Sequence, residues 1–293
     1  MSIFDKDTDP LNTPEAIDRH IERALATNIG PGLEVDLAYR AVQKLFSPLV
    51  FNAGRIPQRP CLFIGNHSLF AFDGAVLAPV FRKQLKRFPW SMGDRFLFAN
   101  RLSAEVLMRN GVVMGHPEVC AALMQAERDL ILFPGGAYEA VKSMDRMYQL
   151  QWKERYGFVR LAAEHGYTIM PFGLVGPDEF YDHLIEGEDL PDSRIGRLLR
   201  KLGILHDDIR SDILPPIPVG ALGSLMPKPQ RCYLGFGEPI DLSTYRGKKL
   251  RMASLKKIRQ QVAAEIEAQL EELLDIREET KDQDSWLRKV LTL

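Results

Sequence analysis

The residues best suited to chemistry are His67 and Asp73, which lie at the end of the segment Cys61-Leu62-Phe63-Ile64-Gly65-Asn66-His67-Ser68-Leu69-Phe70-Ala71-Phe72-Asp73. An imidazole titrates near neutrality, so it can take a proton from an alcohol as the oxygen attacks a carbonyl. A carboxylate on the other ring nitrogen fixes the tautomer and stabilises the imidazolium. On a regular helix, positions six apart point roughly 120° from each other and lie about 9 Å apart along the axis. Direct pairing therefore requires that residues 67–72 are not wholly helical. A lone His-x5-Asp also arises by chance in satisfied surface or core histidines, so its weight depends on the segments around it.

A second segment, Asp129-Leu130-Ile131-Leu132-Phe133-Pro134-Gly135-Gly136-Ala137-Tyr138-Glu139, is again an apolar run ending in a tight turn. Paired glycines let backbone N–H groups approach a ligand closely, as an oxyanion site requires. A plain β-turn is the competing reading of Pro-Gly-Gly. In open α/β sheets ligands bind at the carboxyl ends of the strands, and both segments end in that way.

The elements that would position them follow from texture. Thr13-Pro14-Glu15 opens a helix to about Asn28 after a polar arm over 1–13, and a second helical pattern places Val35, Leu37, Ala38, Val42, Leu45 and Phe46 near one face before the apolar stretch 48–51. From Pro60 short apolar runs alternate with helical segments. Strands are expected at 61–65, 129–133, 168–174 and 231–236. Helices are expected at 74–84, 103–110, 117–127, 154–165 and 193–202, with a long, charge-rich terminal helix at 253–279. The expected fold is α/β, a mixed central sheet flanked by helices, with an N-terminal helical cap over 1–55 and a domain over 56–293 that includes the long C-terminal helix.

The 293 residues suffice for one large domain with a substantial core. A formal net charge of −1 lacks the basic footprint of a nucleic-acid-binding domain. Cys61, Cys120 and Cys232 have no metal-ligand or redox-pair spacing, so no metal is expected and a reducing compartment fits. The N-terminus lacks the pattern of a signal peptide, and no window approaches the roughly 18 uncharged apolar residues of a spanning helix. A membrane would therefore be met from one side. The segment Phe81-Arg82-Lys83-Gln84-Leu85-Lys86-Arg87-Phe88-Pro89-Trp90 combines cations with aromatics, and no acid occurs from Gly74 through Gly93. Such a composition suits an anionic bilayer, with Phe81, Arg82, Lys83, Lys86, Arg87, Phe88 and Trp90 as contacts. A solvated helix face is the alternative.

Four blocks in order resemble the glycerolipid (lysophospholipid) acyltransferase superfamily, especially its branch of monoacylglycerol and diacylglycerol acyltransferases. They are Asn66-His67 through Asp73, Gly93-Asp94-Arg95-Phe96-Leu97-Phe98 followed by Gly111-Val112-Val113, Phe133 through Glu139, and Ile169-Met170-Pro171-Phe172. Tyr156-Gly157-Phe158 and Gly237-Glu238-Pro239-Ile240 extend the likeness over about 60–245. The resemblance implies an O-acyltransferase of glycerolipid and phospholipid metabolism. It would move a fatty acyl group from acyl-CoA or acyl carrier protein to a lipid hydroxyl, without a cofactor, on the inner, cytoplasmic face of a membrane. His67 and Asp73 would be catalytic, and Asn66, Arg95, Phe133, Pro134, Gly135, Gly136, Tyr138, Glu139 and Pro171 would bind substrate.

Two departures qualify the likeness. Five residues separate His67 from Asp73 where the commoner pattern has four. Where phosphate-accepting members resemble Pro-Glu-Gly-Thr-Arg, Gly135 replaces the glutamate and Tyr138 the arginine. Losing that guanidinium favours a neutral acceptor, unless Arg95, Lys142 or Arg146 replaces the charge. The alternatives are a catalytically silent lipid-binding module of the same fold and a lysophosphatidate-type enzyme with an atypical acceptor site. An α/β-hydrolase is excluded because no Gly-x-Ser-x-Gly elbow is present.

Overall fold

The computed structural model describes residues 13–28, 30, 32–98, 101–201 and 214–292, and their side chains except at 95, 96, 101, 102 and 198–200. Apart from Thr13, the polar arm expected over 1–13 lies outside the described residues. The chain runs α1 (Pro14–Ala26), α2 (Leu33–Phe46), β1 (Leu49–Phe51), β2 (Cys61–Gly65), α3 (Phe72–Val80), β3 (Trp90–Gly93), α4 (Arg101–Arg109), β4 (Val112–Met114), α5 (Pro117–Gln125), β5 (Leu130–Leu132) and α6 (Ala137–Ala140). It continues through α7 (Gly157–His165), β6 (Thr168–Val175), β7 (Asp182–Ile185), α8 (Arg194–Lys201), β8 (Ile217–Val219), β9 (Tyr233–Phe236), β10 (Ile240–Asp241), α9 (Met252–Thr280) and α10 (Trp286–Leu291).

The main sheet has the order β1-β9-β6-β2-β5-β3-β4, with β10 also pairing with β6. β2 lies between two parallel neighbours, with Ile64 opposite Leu132 of β5 and Pro171 of β6. β6 is antiparallel to β9 and β10, which makes the sheet mixed. All five β2 residues are buried because helices cover both faces. Leu62 and Ile64 join one core cluster with residues of α1, α5, α7 and α9, while Cys61 and Phe63 join the other with residues of α2 and α3.

Local chemistry explains the helices that frame this sheet. Thr13 caps α1 by accepting from the Ala16 amide at 3.2 Å, and Pro14 occupies the position where its missing N–H costs nothing. Along α9, Leu255, Ile258, Val262, Ile266, Leu270 and Leu273 recur at helical spacing and are buried, each contributing about 1.5–3 kcal/mol. This helix is therefore a core element as well as a charged one, and α10 follows it.

The expected boundary at 55 does not follow the packing. β1 pairs in parallel with β9 inside the main sheet, and Ile17 and Ala24 of α1 and Val42 and Phe46 of α2 fill the two core clusters. Strands β1, β3, β4, β7, β8 and β10 are not legible in the sequence, since two to four residues are too few to show a period of two.

Candidate active site

Strands β2, β5 and β6 run parallel, so their carboxyl ends bring His67, the Phe133–Glu139 turn and Asp178 to one edge of the sheet. The chain turns sharply after His67. A short 3-10 segment, Leu69–Ala71, contains two left-handed residues, Phe70 (φ 53°) and Ala71 (φ 59°), before α3 begins at Phe72. Each costs about 1–2 kcal/mol without glycine. Three hydrogen bonds offset that strain. The Asp73 amide donates to Ser68 Oγ at 2.8 Å, Asp73 Oδ2 accepts from the Ser68 amide at 2.6 Å, and Asp178 Oδ1 accepts from the Leu69 amide at 3.2 Å.

This bend sets His67 Nδ1 2.6 Å from Asp73 Oδ2. The Asp73 side chain is 1% exposed, while that of His67 retains 13%. With Nδ1 committed to the carboxylate, Nε2 is the nitrogen left to act as base. The imidazole lies flat on Phe133, with ring centroids 4.4 Å apart and planes 7° from parallel. Burial, the largest influence, works to lower the imidazole pKa, but the charge and hydrogen bond of Asp73, aided by the Glu139 charge, outweigh it and hold the pKa above its ordinary value.

Two buried charges grip the His67 backbone. Glu139 is fully buried, and its carboxylate accepts from the amides of His67 at 3.2 Å and Gln151 at 2.8 Å. Burial pushes its pKa up to about 7 against the pull of the Gln151 amide and of Lys142. Lys142 donates to the His67 carbonyl at 2.6 Å and pairs with Asp178 at 2.8 Å. Asp178 also accepts from the Tyr148 amide at 2.9 Å. Glu139 thus has no reach to an acceptor hydroxyl, contrary to the sequence expectation. Its place is beneath Gly135, where a Cβ would collide with the Glu139 carboxyl.

Several other expected substrate contacts are committed to bonds within the fold. Asn66 is 2% exposed, and its amide group both donates to and accepts from the backbone of Leu174, tying β2 to β6. Pro171 is buried inside β6 opposite Ile64, where its missing N–H falls between the stretches paired with β10 and β9. The Gly136 amide donates to Phe133 O at 3.1 Å, closing the turn, so it is not free for an oxyanion. Gly136 has φ 52°, a left-handed conformation that glycine adopts without strain. Pro134 accepts at its carbonyl from Arg155 Nη1 at 2.7 Å. Tyr138 is partly exposed and lines a cleft of about 130 Å³ that Lys142, Ser143, Arg146, Gln151 and Lys153 also line. The Arg95 side chain lies outside the described residues.

The membrane contacts expected on 81–90 are corrected by burial. Phe81 is 0% and Trp90 2% exposed, and Arg82 is buried, donating to Asn110 O. Lys83 pairs with Asp36, and Arg87 forks onto Asp129 and donates to Pro57 O and Arg59 O. Phe88 packs against the core, which leaves Lys86 exposed. Every cation here except Lys86, and each ring, meets its partner inside the fold, and composition carries no information about direction.

Sequence reasoning missed Asp178, Arg155 and Lys153. Asp178 follows β6 directly in Gly176-Pro177-Asp178, so the strand-end rule that singled out His67 applies to it equally. Lys153 and Arg155 lie in the irregular stretch before α7, which begins at Gly157 and not at the expected 154. Among the described residues no group of three or more His, Cys, Asp and Glu side chains could hold a metal ion.

The chain is similar to phytyl ester synthase 1, chloroplastic, of Arabidopsis thaliana, with 29% identity over 248 residues that cover 78% of this chain and 34% of that protein. It is also similar to diacylglycerol O-acyltransferase 2 of Dictyostelium discoideum, with 28% identity over 146 residues that cover 47% of this chain and 42% of that one. The chain spans about a third of the length of the phytyl ester synthases it matches. Among solved structures, the 1-acyl-sn-glycerophosphate (LPA) acyltransferase of Thermotoga maritima aligns over 87% of this chain and 81% of its own, at a TM-score of 0.46 and 14% identity. The family model for diacylglycerol acyltransferases matches residues 54–283, most of the chain and all of the site just described, and the chain belongs to that family.

Proposed function

We propose that this chain is an O-acyltransferase that moves a fatty acyl group from a thioester to a lipid hydroxyl, with His67 as general base. The 2.6 Å contact between His67 Nδ1 and Asp73 Oδ2 carries the reading. A silent binding module has no use for a base with an oriented carboxylate. In the reaction His67 Nε2 removes the hydroxyl proton as that oxygen attacks the thioester carbonyl. The tetrahedral intermediate collapses, the C–S bond breaks, and the thiolate takes the proton back from the imidazolium, so neither metal nor acyl-enzyme is needed. Asp73 holds the tautomer, Phe133 holds the ring plane, and Glu139 and Lys142 fix the backbone between them.

The substrates are lipids, so the same reading puts the protein at a lipid surface, attached peripherally on the cytoplasmic face. No helix among the described residues is long and apolar enough to cross a membrane. With 81–90 folded inward, the loop after β8 takes over the role, presenting Leu222 (80% exposed), Leu225 (76%) and Met226 (67%). It adjoins the site, because Leu225 O accepts from Tyr181 OH and the Tyr181 ring packs against Phe70 and Phe72 of the bend. Cys61, Cys120 and Cys232 are free and buried, which fits a reducing compartment.

The test is to supply labelled acyl-CoA and acyl carrier protein with neutral and phosphorylated acceptors to the purified protein and to His67→Ala. Product that requires His67 supports the reading and names the acceptor. Lipid binding by both proteins with turnover in neither overturns it in favour of the silent module.

A further inference from the structure

Two cations from elsewhere in the chain lie over Tyr138, the residue at the arginine's place in the turn. Lys153 Nζ stands 3.1 Å from the centroid of the Tyr138 ring, and Arg155 Cζ stands 5.6 Å from it. Both residues are exposed. Arg155 Nη1 also lies 2.9 Å from where a Cβ on Gly136 would be, so its guanidinium rests against the Gly-Gly turn itself. Lys142, which lines the cleft with Tyr138 and Lys153, also donates to the His67 carbonyl, so the cationic face shares a wall with the backbone that carries the base. Three side-chain pairs flank the cleft. Lys142 pairs with Asp178, Arg146 with Glu188, and Glu186 with His183.

We propose that Lys153 and Arg155, gathered over Tyr138 at the Gly135-Gly136 turn, form a subsite for a phosphate group of one of the two substrates. It rests on the acyltransferase reading for what the phosphate belongs to. Two sources share that chemistry: the phosphates of a CoA thioester and the headgroup of a phosphorylated lipid acceptor. A guanidinium and an ammonium on one aromatic face suit a phosphate, the first as a fork and the second as a point charge. A neutral acceptor is then no longer implied by Tyr138 alone.

Equilibrium titration tests the subsite without turnover, so it is readable even if the protein proves inactive. The ligands are CoA, pantetheine, lysophosphatidate and monoacylglycerol, and the proteins are wild type, Lys153→Gln, Arg155→Gln and Arg155→Lys. Lys153→Gln leaves the Arg155 bond to the turn intact, which separates charge loss from damage to the fold. If the phosphate belongs to the donor, Kd for CoA rises about tenfold in both Gln variants while pantetheine is unaffected. An acceptor phosphate would show the same loss for lysophosphatidate but not for monoacylglycerol. Arg155→Lys recovers part of either loss. Wild-type protein that binds neither phosphorylated ligand, or Gln variants that bind both as well as wild type does, would overturn the proposal.

Discussion

At the carboxyl edge of β2, one imidazole keeps contact with solvent while the charges behind it, Asp73, Glu139, Lys142 and Asp178, are all buried and paired. Over residues 81–90 the order is reversed: Phe81 and Trp90 lie inside, and most of the cations are bound to carboxylates or carbonyls of the same fold. Both regions combine rings and charges. Only the first needs its charges to hold a reactive group toward an opening; left-handed residues occur in both, consecutively at Phe70 and Ala71 in the first and singly at Lys86 in the second. Buried charge that serves a partly exposed group marks a site, whereas charge that serves neighbouring backbone and acid marks a scaffold.

Substitutions can break that contrast, and the largest effect belongs to the edge. His67→Ala lowers kcat/KM for acyl transfer by about 10²–10⁴-fold, the worth of a positioned general base, while unfolding shows a smaller loss of about 1–3 kcal/mol from the Asp73 carboxylate left without its partner. A comparable loss of stability with the activity would make His67 part of the scaffold. Lys142→Met leaves Asp178 buried without its cation, and urea unfolding should show a loss of about 3–5 kcal/mol. Its kcat falls as well, because the His67 carbonyl loses its donor.

In the basic segment the effects are smaller and of another kind. Arg87→Ala strands the Asp129 carboxylate and two carbonyls, destabilising the fold by about 1–3 kcal/mol in the same urea assay. It leaves flotation with anionic vesicles unchanged, whereas Leu222→Ser with Leu225→Ser abolishes flotation. Exposed Lys86→Ala changes stability by no more than about 0.5 kcal/mol. Lost flotation in Arg87→Ala, in protein that remains folded, would restore the segment as a membrane face.

The two regions also show what a sequence makes legible. His67 at the end of a fully apolar strand was readable, because strand ends in open α/β sheets face ligands whatever the loops do. Its pairing with Asp73 required a break in the helix, and the break was inferable from the six-residue interval. That the break is two left-handed residues held by Ser68 and Asp178 was not, because Asp178 lies over a hundred residues away. Strands β2, β5, β6 and β9 were visible as apolar runs, while β1, β3 and β4 take their conformation from pairing in the sheet. The direction of side chains in 81–90 was illegible for a related reason: Phe81 and Arg82 lie in a π-helical turn that continues α3, and their burial is set by tertiary contacts.

If Asp73 tunes His67 as a base, the pH dependence of kcat/KM in wild type and in Asp73→Asn will differ in a defined direction. A base must be neutral to act, so activity rises with pH through the pKa of His67. Because the Asp73 charge and hydrogen bond raise that pKa, the wild-type limb should lie above the usual imidazole value of about 6.5. In Asp73→Asn the limb should move to lower pH while the plateau falls by orders of magnitude, as expected for a misoriented tautomer. A limb that stays in place, or moves upward, when the carboxylate is removed would contradict the account.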